Sequence, residues 1–198
     1  MNLFSKKPLR RSLIPALFSV FVMTACDTPD TEPKSDGFEQ FSGYKLIEKP
    51  IVVAGNAGKV WKIFGLEIAG KIMSAETNGQ YSVIISSTPP NGGPPPHVHE
   101  NEDELFYVVE GEYEFKYGDE TVVVSKDAVV VLPRKIPHSF RNIGETTGKL
   151  LNTITPGGFE QFFEEVDQLP KDAPLDRAKV QEIGKKYGLT FLPPPEAQ

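Results

Sequence analysis

Cysteine and histidine are scarce in this chain, whose 198 residues include one Cys and three His. A lone cysteine cannot form an internal disulfide or supply a zinc site that needs two or more thiolates. Any metal ion must therefore be held by nitrogen and oxygen ligands. Basic residues are also outnumbered, 21 against 27 acidic ones, which argues against a nucleic-acid partner because binding DNA or RNA relies on clustered Lys and Arg.

The N-terminal apolar run is too short to span a membrane comfortably, because it extends only from Leu13 to Met23. It follows a segment with four basic residues and precedes the small residues Thr24 and Ala25. This order of charged, apolar and small residues predicts a secretory signal over residues 1–25. The alternative is an N-terminal anchor that stays attached.

The tetrapeptide Met23-Thr24-Ala25-Cys26 resembles the lipobox of bacterial lipoproteins, although Met23 replaces the preferred Leu. The resemblance implies cleavage before Cys26, lipidation of Cys26, and attachment to a membrane through the lipid. It also implies a place in the bacterial cell envelope, facing the periplasm. Residues 26–43 are polar and contain prolines, so they are predicted to form a flexible tether. Which membrane holds the lipid, and whether export precedes or follows folding, stay open.

Residues 44–157 have the pattern of an all-β domain, in which short Val-, Ile-, Phe- and Tyr-rich runs alternate with Gly, Pro and Asn. Strand 104–110 is apolar on both faces and so needs cover on both sides, either from N-terminal strands or from another subunit in a homodimer. The predicted strands are 46–53, 59–64, 66–73, 80–87, 104–110, 112–117, 120–125, 128–133, 137–142 and 148–155.

Residues 158–198 are predicted to form a helical extension with a Pro-rich tail. Apolar residues recur there at helical spacing, and a second helix is predicted from Leu175 to Tyr187 with Gly188 as its stop signal. The stripe of the first helix consists of Phe159, Phe162, Phe163 and Val166.

All three histidines fall into one predicted site. His97 and His99 are two residues apart and project to the same face of an extended segment. Glu104 follows at the start of the next strand, and His138 lies in a third strand. Three imidazoles and a carboxylate form a nitrogen and oxygen metal site, which iron, manganese, nickel, copper and zinc all accept. The alternative is three unrelated histidines.

The spacing of these residues resembles the two sequence motifs of the cupin superfamily. The similarity covers about residues 44–163 and is closest to single-domain cupins of the quercetin 2,3-dioxygenase type. The matching positions are His97-x-His99-(x4)-Glu104-(x6)-Gly111 in the first motif and Pro133-(x4)-His138-(x3)-Asn142 in the second.

The resemblance implies a double-stranded β-helix, a jelly-roll barrel, with a short C-terminal helical extension. It also implies one divalent transition metal ion held by the three histidines and Glu104. Three departures concern turns, since Asn91, Asp127 and Lys135 stand where glycines are usual. These departures put loop geometry in doubt more than metal binding.

The surroundings of the site are predicted from the same strands. Phe106, Phe140 and Asn142 are expected to face the barrel interior, where they could line a substrate pocket; core packing is the alternative for the two phenylalanines. The acidic residues Glu100, Glu102 and Asp103 are expected in a solvated loop, with proton transfer by one of them as the alternative.

Three functions stay open at this point. The first is a dioxygenase acting on an aromatic or enolic small molecule with O2, in which Glu104 is the catalytic residue, both metal ligand and proton acceptor. The second is an isomerase or lyase that uses the metal as a Lewis acid without O2. The third is a non-catalytic lipoprotein of the periplasm that binds a ligand or a metal.

Overall fold

The computed structural model describes residues 45–171 and 174–193. The predicted secretory signal and the whole predicted tether, including the lipidation site Cys26, lie outside the described residues. The described part contains two antiparallel β-sheets and two α-helices. Neither of these helices is long and apolar enough to cross a membrane.

The strands follow in chain order as β1 (Lys59–Ile63), β2 (Leu66–Ile72), β3 (Ser82–Thr88), β4 (His97–His99), β5 (Asp103–Glu110), β6 (Glu112–Tyr117), β7 (Glu120–Ser125), β8 (Val129–Leu132), β9 (His138–Asn142), β10 (Gly148–Thr155) and β11 (Leu189–Phe191). One sheet has the order β1-β2-β3-β10-β5-β8, and the other has the order β11-β4-β9-β6-β7. This arrangement confirms the predicted all-β jelly-roll fold.

Side-chain alternation explains how the two sheets enclose a core. In β3 and β10 every second residue is buried, because successive residues of a strand point to opposite faces. The buried face of each sheet supplies aromatic and aliphatic side chains to one apolar cluster. Phe115 and Phe140, for example, are paired across β6 and β9 and their rings lie 5.7 Å apart.

The predicted strand 46–53 is wrong, because the chain has no strand between residues 45 and 58. Leu46 is 85% exposed and Val52 is 90% exposed, so neither side chain packs into the core. The backbone of this segment is bound by side chains instead of by a neighbouring strand. Asn78 and Gln80 donate hydrogen bonds to its main-chain oxygens.

Strand β5 has one buried face and one partly exposed face. Leu105 is 39% exposed, and on the neighbouring edge strand Val129 and Val131 are each 58% exposed. Within the described residues, therefore, nothing fully covers this outer face. Cover by another subunit in a homodimer stays a prediction.

The three residues that replace glycine in the motifs adopt a backbone conformation in which glycine is usual. Asn91, Asp127 and Lys135 have φ values of 60°, 72° and 66°, in the left-handed region where glycine is the usual residue. The amide of Lys135 also donates a 2.7 Å hydrogen bond to the carbonyl of His99. The loops around the site thus retain left-handed turns.

The C-terminal extension contains the two predicted helices and one strand that was not predicted. Helix α1 spans Glu160–Asp167, and helix α2 spans Arg177–Lys186, two residues later at its start and one earlier at its end than expected. The side chain of Asp176 caps α2 by accepting hydrogen bonds from two of its backbone amides. The new strand, β11, pairs with β4.

Helix α1 is attached to the barrel by a buried carboxylate and an indole. Glu160 Oε1 accepts hydrogen bonds from the amide and hydroxyl of Ser74, and its Oε2 accepts from Ser82 Oγ and the Gly158 amide. Burial alone would raise the pKa of Glu160, but these hydrogen bonds hold it below the usual range. Trp61, which is fully buried, donates from Nε1 to Glu164 at 3.0 Å.

We expect Glu160→Ala to lower the free energy of unfolding by about 3 kcal/mol, because several buried donors lose a charged acceptor. Urea denaturation at neutral pH measures this loss. The matched control Glu182→Ala removes an exposed acid of α2 and should change stability by less than about 0.5 kcal/mol. Equal losses in the two variants would contradict the assigned role of Glu160.

Candidate metal centre

Four buried side chains from both sheets converge inside the barrel. His97 and His99 come from β4, His138 from β9 and Glu104 from β5. Each is at most 6% exposed. One ligand atom of each lies within 4.8 Å of the corresponding atoms of the other three. The structure thus brings together the four residues predicted as metal ligands.

Strand geometry explains the convergence of the histidines. Position 97 is paired with position 138 across β4 and β9, and residues 97 and 99 share a face of β4. The ring centroids of His97 and His138 are 4.4 Å apart, and those of His97 and His99 are 5.1 Å apart. Two short strands therefore suffice to place three imidazoles together.

The outer nitrogen of each ring has an oxygen neighbour that orients the ring. A carbonyl oxygen can only accept, so the Nδ1 atoms of His97 and His138 carry hydrogen, and the Nε2 atom of each ring can bind a metal ion once it carries none. That is the tautomer a metal ion needs when it binds through Nε2. The Nδ1 distances are 2.8 Å from His97 to Pro95 O, 2.9 Å from His138 to Ile136 O and 3.3 Å from His99 to Glu102 Oε2.

Glu104 is held on both of its oxygens. Its Oε2 lies 2.9 Å from His138 Nε2 and 3.5 Å from His99 Nε2, while its Oε1 accepts a 2.6 Å hydrogen bond from Asn152 Nδ2. The carbonyl oxygen Oδ1 of Asn152 has no donor among the described residues, although Asn152 is only 3% exposed. Asn152 therefore positions the carboxylate.

Sequence reasoning missed Asn152. It lies on β10, far along the chain from the two motifs, so spacing could not indicate it. The available signal was its position, since Leu150, Asn152 and Ile154 alternate on one buried face and only the middle residue is polar. A lone polar residue on the apolar face of a strand calls for a hydrogen-bond partner inside the core.

Burial and repulsion among the histidines disfavour protonation within the cluster, which favours the binding of a cation. Burial, and then the nearby His138 and His99, lower the pKa of His97 to about 3. Burial alone would raise the pKa of Glu104, but the histidines, His99 first, lower it to about 2. For His138, burial is outweighed by the hydrogen bond to Glu104, which raises its pKa above the usual value. At neutral pH His97 is neutral and Glu104 is ionised.

We expect metal affinity to fall by at least about tenfold per pH unit below the pKa of His138, because a metal ion must displace the proton of that ring. His97 has no proton to lose until the pH approaches about 3. Titration of the metal-free protein with Zn²⁺ between pH 5.5 and 8 measures the slope. A slope near three protons, or none, would contradict this protonation pattern.

Glu102 does not lie in a solvated loop as predicted, because it is only 8% exposed and contacts His99. The other two acidic residues of this run, Asp103 and Glu100, do not contact the cluster in this way. Asp103 forms an ion pair with Arg134, and Arg134 lowers the pKa of Asp103 to about 2 by hydrogen bonding. Glu100 is exposed. Glu102 therefore supports the orientation of His99 from outside the cluster.

Glu102→Ala should lower metal affinity about 10- to 100-fold, since the ring of His99 loses its orienting carboxylate. The matched control is Glu100→Ala, which removes an exposed acid two residues away and should leave the affinity within about twofold. Competition with a chelator of known affinity measures both. Equal affinities in the two variants would show that the carboxylate of Glu102 does not support His99.

A small, mainly apolar cavity of about 60 Å³ adjoins the cluster. Phe106 and Phe140 line it, as the sequence predicted. Asn142 does not line it; its side chain donates to the carbonyls of Thr88 and Thr146 and accepts from the Gly144 amide. Asn142 therefore holds the backbone of this turn in place and does not line the cavity.

Comparison with known families agrees with this geometry. Residues 84–154, which contain all four cluster residues, match the family model for the cupin domain. This part of the chain is a cupin domain. The match confirms the resemblance predicted from the two motifs, and it ends before the helical extension.

Two named proteins are similar in sequence to parts of this chain. Quercetin 2,3-dioxygenase of Bacillus subtilis is 30% identical over 95 residues, which are 47% of this chain and 28% of that protein. The match thus spans less than a third of that relative's length. Polyketide synthase CurC of Streptomyces cyaneus is 32% identical over 60 residues, 30% of this chain and 39% of the relative.

Among solved structures, a predicted oxalate decarboxylase from Thermotoga maritima is 24% identical, with a TM-score of 0.50 over 53% of this chain and 98% of that one. KdgF from Halomonas sp. is 16% identical, with a TM-score of 0.51 over 57% of this chain and 99% of that one. These two likenesses show the shared fold.

Proposed function

We propose that this protein is a metal-dependent dioxygenase acting on an aromatic or enolic small molecule. The observation that carries the proposal is the buried cluster of three histidines and Glu104, whose ligand atoms lie within 4.8 Å of one another. The similarity of the cupin domain to quercetin 2,3-dioxygenase supports the reaction class. A small molecule and O2 are the partners that the proposal requires.

The donor set fits one divalent transition metal ion. Three imidazole nitrogens and a carboxylate suit iron, manganese, nickel, copper and zinc. When bound, such an ion supplies Lewis acidity and, for the redox-active metals, a place for O2 to react. His97, His99, His138 and Glu104 would hold it.

The charge of the cluster favours an anionic substrate oxygen. Because His97 is neutral and Glu104 is ionised at neutral pH, the four ligands compensate only part of the charge of a divalent ion. An enolate or phenolate oxygen completes the compensation. The apolar walls of the cavity limit access of bulk water and so strengthen this attraction.

Glu104 is the residue best placed to accept the substrate's proton. Its Oε1 is already bound to Asn152, and its Oε2 faces His138 and His99. Asn152 donates to Oε1 through its amide group, and the nearby histidines, His99 first, lower the pKa of Glu104 and so keep the carboxylate ionised.

The test is O2 consumption by the Fe²⁺- or Mn²⁺-loaded protein with a panel of enols and phenols, including a flavonol. Uptake should fall at least about 100-fold in His97→Ala, which loses a ligand, and should persist in Glu100→Ala. Turnover of an enolisable compound without O2 would instead indicate an isomerase or lyase. Bound metal without any turnover would indicate a binding protein. A His97/His99 double alanine variant that kept all its metal would overturn the site itself.

We also propose, from the sequence, that the chain is exported and lipidated on Cys26, so that the cupin domain faces the periplasm from a membrane of the cell envelope. The lipobox-like tetrapeptide supports this placement. A homodimer formed through the outer face of β5 and β8 is part of the same proposal, supported by the exposed Leu105, Val129 and Val131.

A further inference from the structure

Much of the cavity wall comes from outside the matched cupin domain. The domain match begins at residue 84 and ends at residue 154. The lining residues that precede or follow it are Phe64, Leu66, Ile68, Phe159, Phe162, Phe163, Leu189 and Phe191. The metal ligands therefore lie within the matched region, whereas about half of the residues that line the cavity lie outside it.

Strand β11 fixes part of this wall directly beside the ligands. In its antiparallel pairing with β4, Leu189 lies opposite His99 and Phe191 lies opposite His97. The amide of Leu192 extends the pairing with a 2.8 Å hydrogen bond to the carbonyl of Pro96. The rings of Phe191 and His97 are 6.2 Å apart.

The cavity approaches the surface at one place. Most of its lining residues are buried, and the exceptions are Phe64, Pro94 and Phe191, which are partly exposed. Phe64 and Phe191 meet edge to face, with ring centroids 5.5 Å apart and an angle of 73° between the rings. These two rings therefore lie side by side at the mouth of the cavity and narrow it.

Phe64 occupies a backbone position that disfavours phenylalanine. It forms with Gly65 the two-residue turn between β1 and β2, and both residues have positive φ, 53° and 76°. Turns of this type favour Asn, Asp or Gly at the first position, and a bulky residue there is strained. The turn conformation itself gains nothing from the phenyl ring, which instead packs against the edge of the apolar core and narrows the mouth of the cavity.

The small volume of the cavity limits what it can hold. One water molecule needs about 10–15 Å³ measured in the same way, so a cavity of about 60 Å³ has room for only a few groups of that size. Sites for drug-sized ligands are typically about 300–1,000 Å³. A three-ring flavonol therefore does not fit while the two rings are in contact.

We propose that Phe64 and Phe191 form an aromatic gate that restricts the metal centre to compact ligands of about one ring. The inference rests on the proposed function for the location of the ligand at the metal, and it narrows the substrate class. Quercetin appears in the name of the similar dioxygenase. We expect the metal centre of this protein to exclude quercetin because of its size rather than its chemistry.

Two ligands with the same metal-binding group test the gate. 3-Hydroxy-4-pyranone and 3-hydroxyflavone share a hydroxyketone, and only the flavone has two additional rings. Calorimetric titration of the full chain loaded with Zn²⁺ measures binding without O2 chemistry. The wild type should bind the pyranone at least about 30-fold more tightly than the flavone.

Phe64→Gly opens the mouth while suiting the left-handed turn, so it should fold. It should tighten flavone binding at least about tenfold and change pyranone binding by less than about threefold. The matched control is Asn78→Gly, which relieves the same φ of 53° at a residue that does not line this cavity and should preserve the wild-type preference. Phe191→Ala should act as Phe64→Gly does.

Equal affinities of the wild type for both ligands would overturn the gate, as would binding of neither ligand to any variant. The same holds if Asn78→Gly admitted the flavone as well as Phe64→Gly does. Failure of the proposed function has a different signature: the size preference is measured as expected with Zn²⁺, but no compound supports O2 uptake with Fe²⁺ or Mn²⁺.

Discussion

The burial of the Glu104 carboxylate is the constraint on which the centre of this protein depends. An ionised carboxylate inside an apolar barrel is strongly unfavourable unless charges and hydrogen bonds compensate it. Here Asn152 donates to one oxygen, and imidazoles of two strands surround the other. This compensation requires strands from both sheets at fixed register, so the fold and the site are parts of one arrangement.

Local patterns predicted much of this arrangement. The i, i+2 spacing of His97 and His99 is a property of one strand, and the pattern of apolar alternation predicted most of the other strands. The helical stripe beginning at Phe159 likewise predicted α1. Each of these features depends on residues close together in the chain, which is where sequence patterns carry the most information.

The features that were missed depend on partners distant in sequence. Strand β11 has three residues, too few to show a period, and it exists because β4 offers it a free edge. Asn152 was missed because its partner Glu104 lies 48 residues away in sequence. The segment 46–53 has the composition of a strand and finds no strand partner. Contacts between distant parts of the chain, or their absence, rather than local propensity, decided all three.

The late position of β11 in the chain has a consequence for the order of assembly. Its contacts with β4 have high sequence separation, and such contacts close slowly because a long loop must first be ordered. The histidines of β4 and β9 can meet as soon as the core of the barrel forms, before the last strand adds its side of the wall. Until β11 pairs, β4 is an edge strand of its sheet, and one side of the strand that carries His97 and His99 has no strand partner.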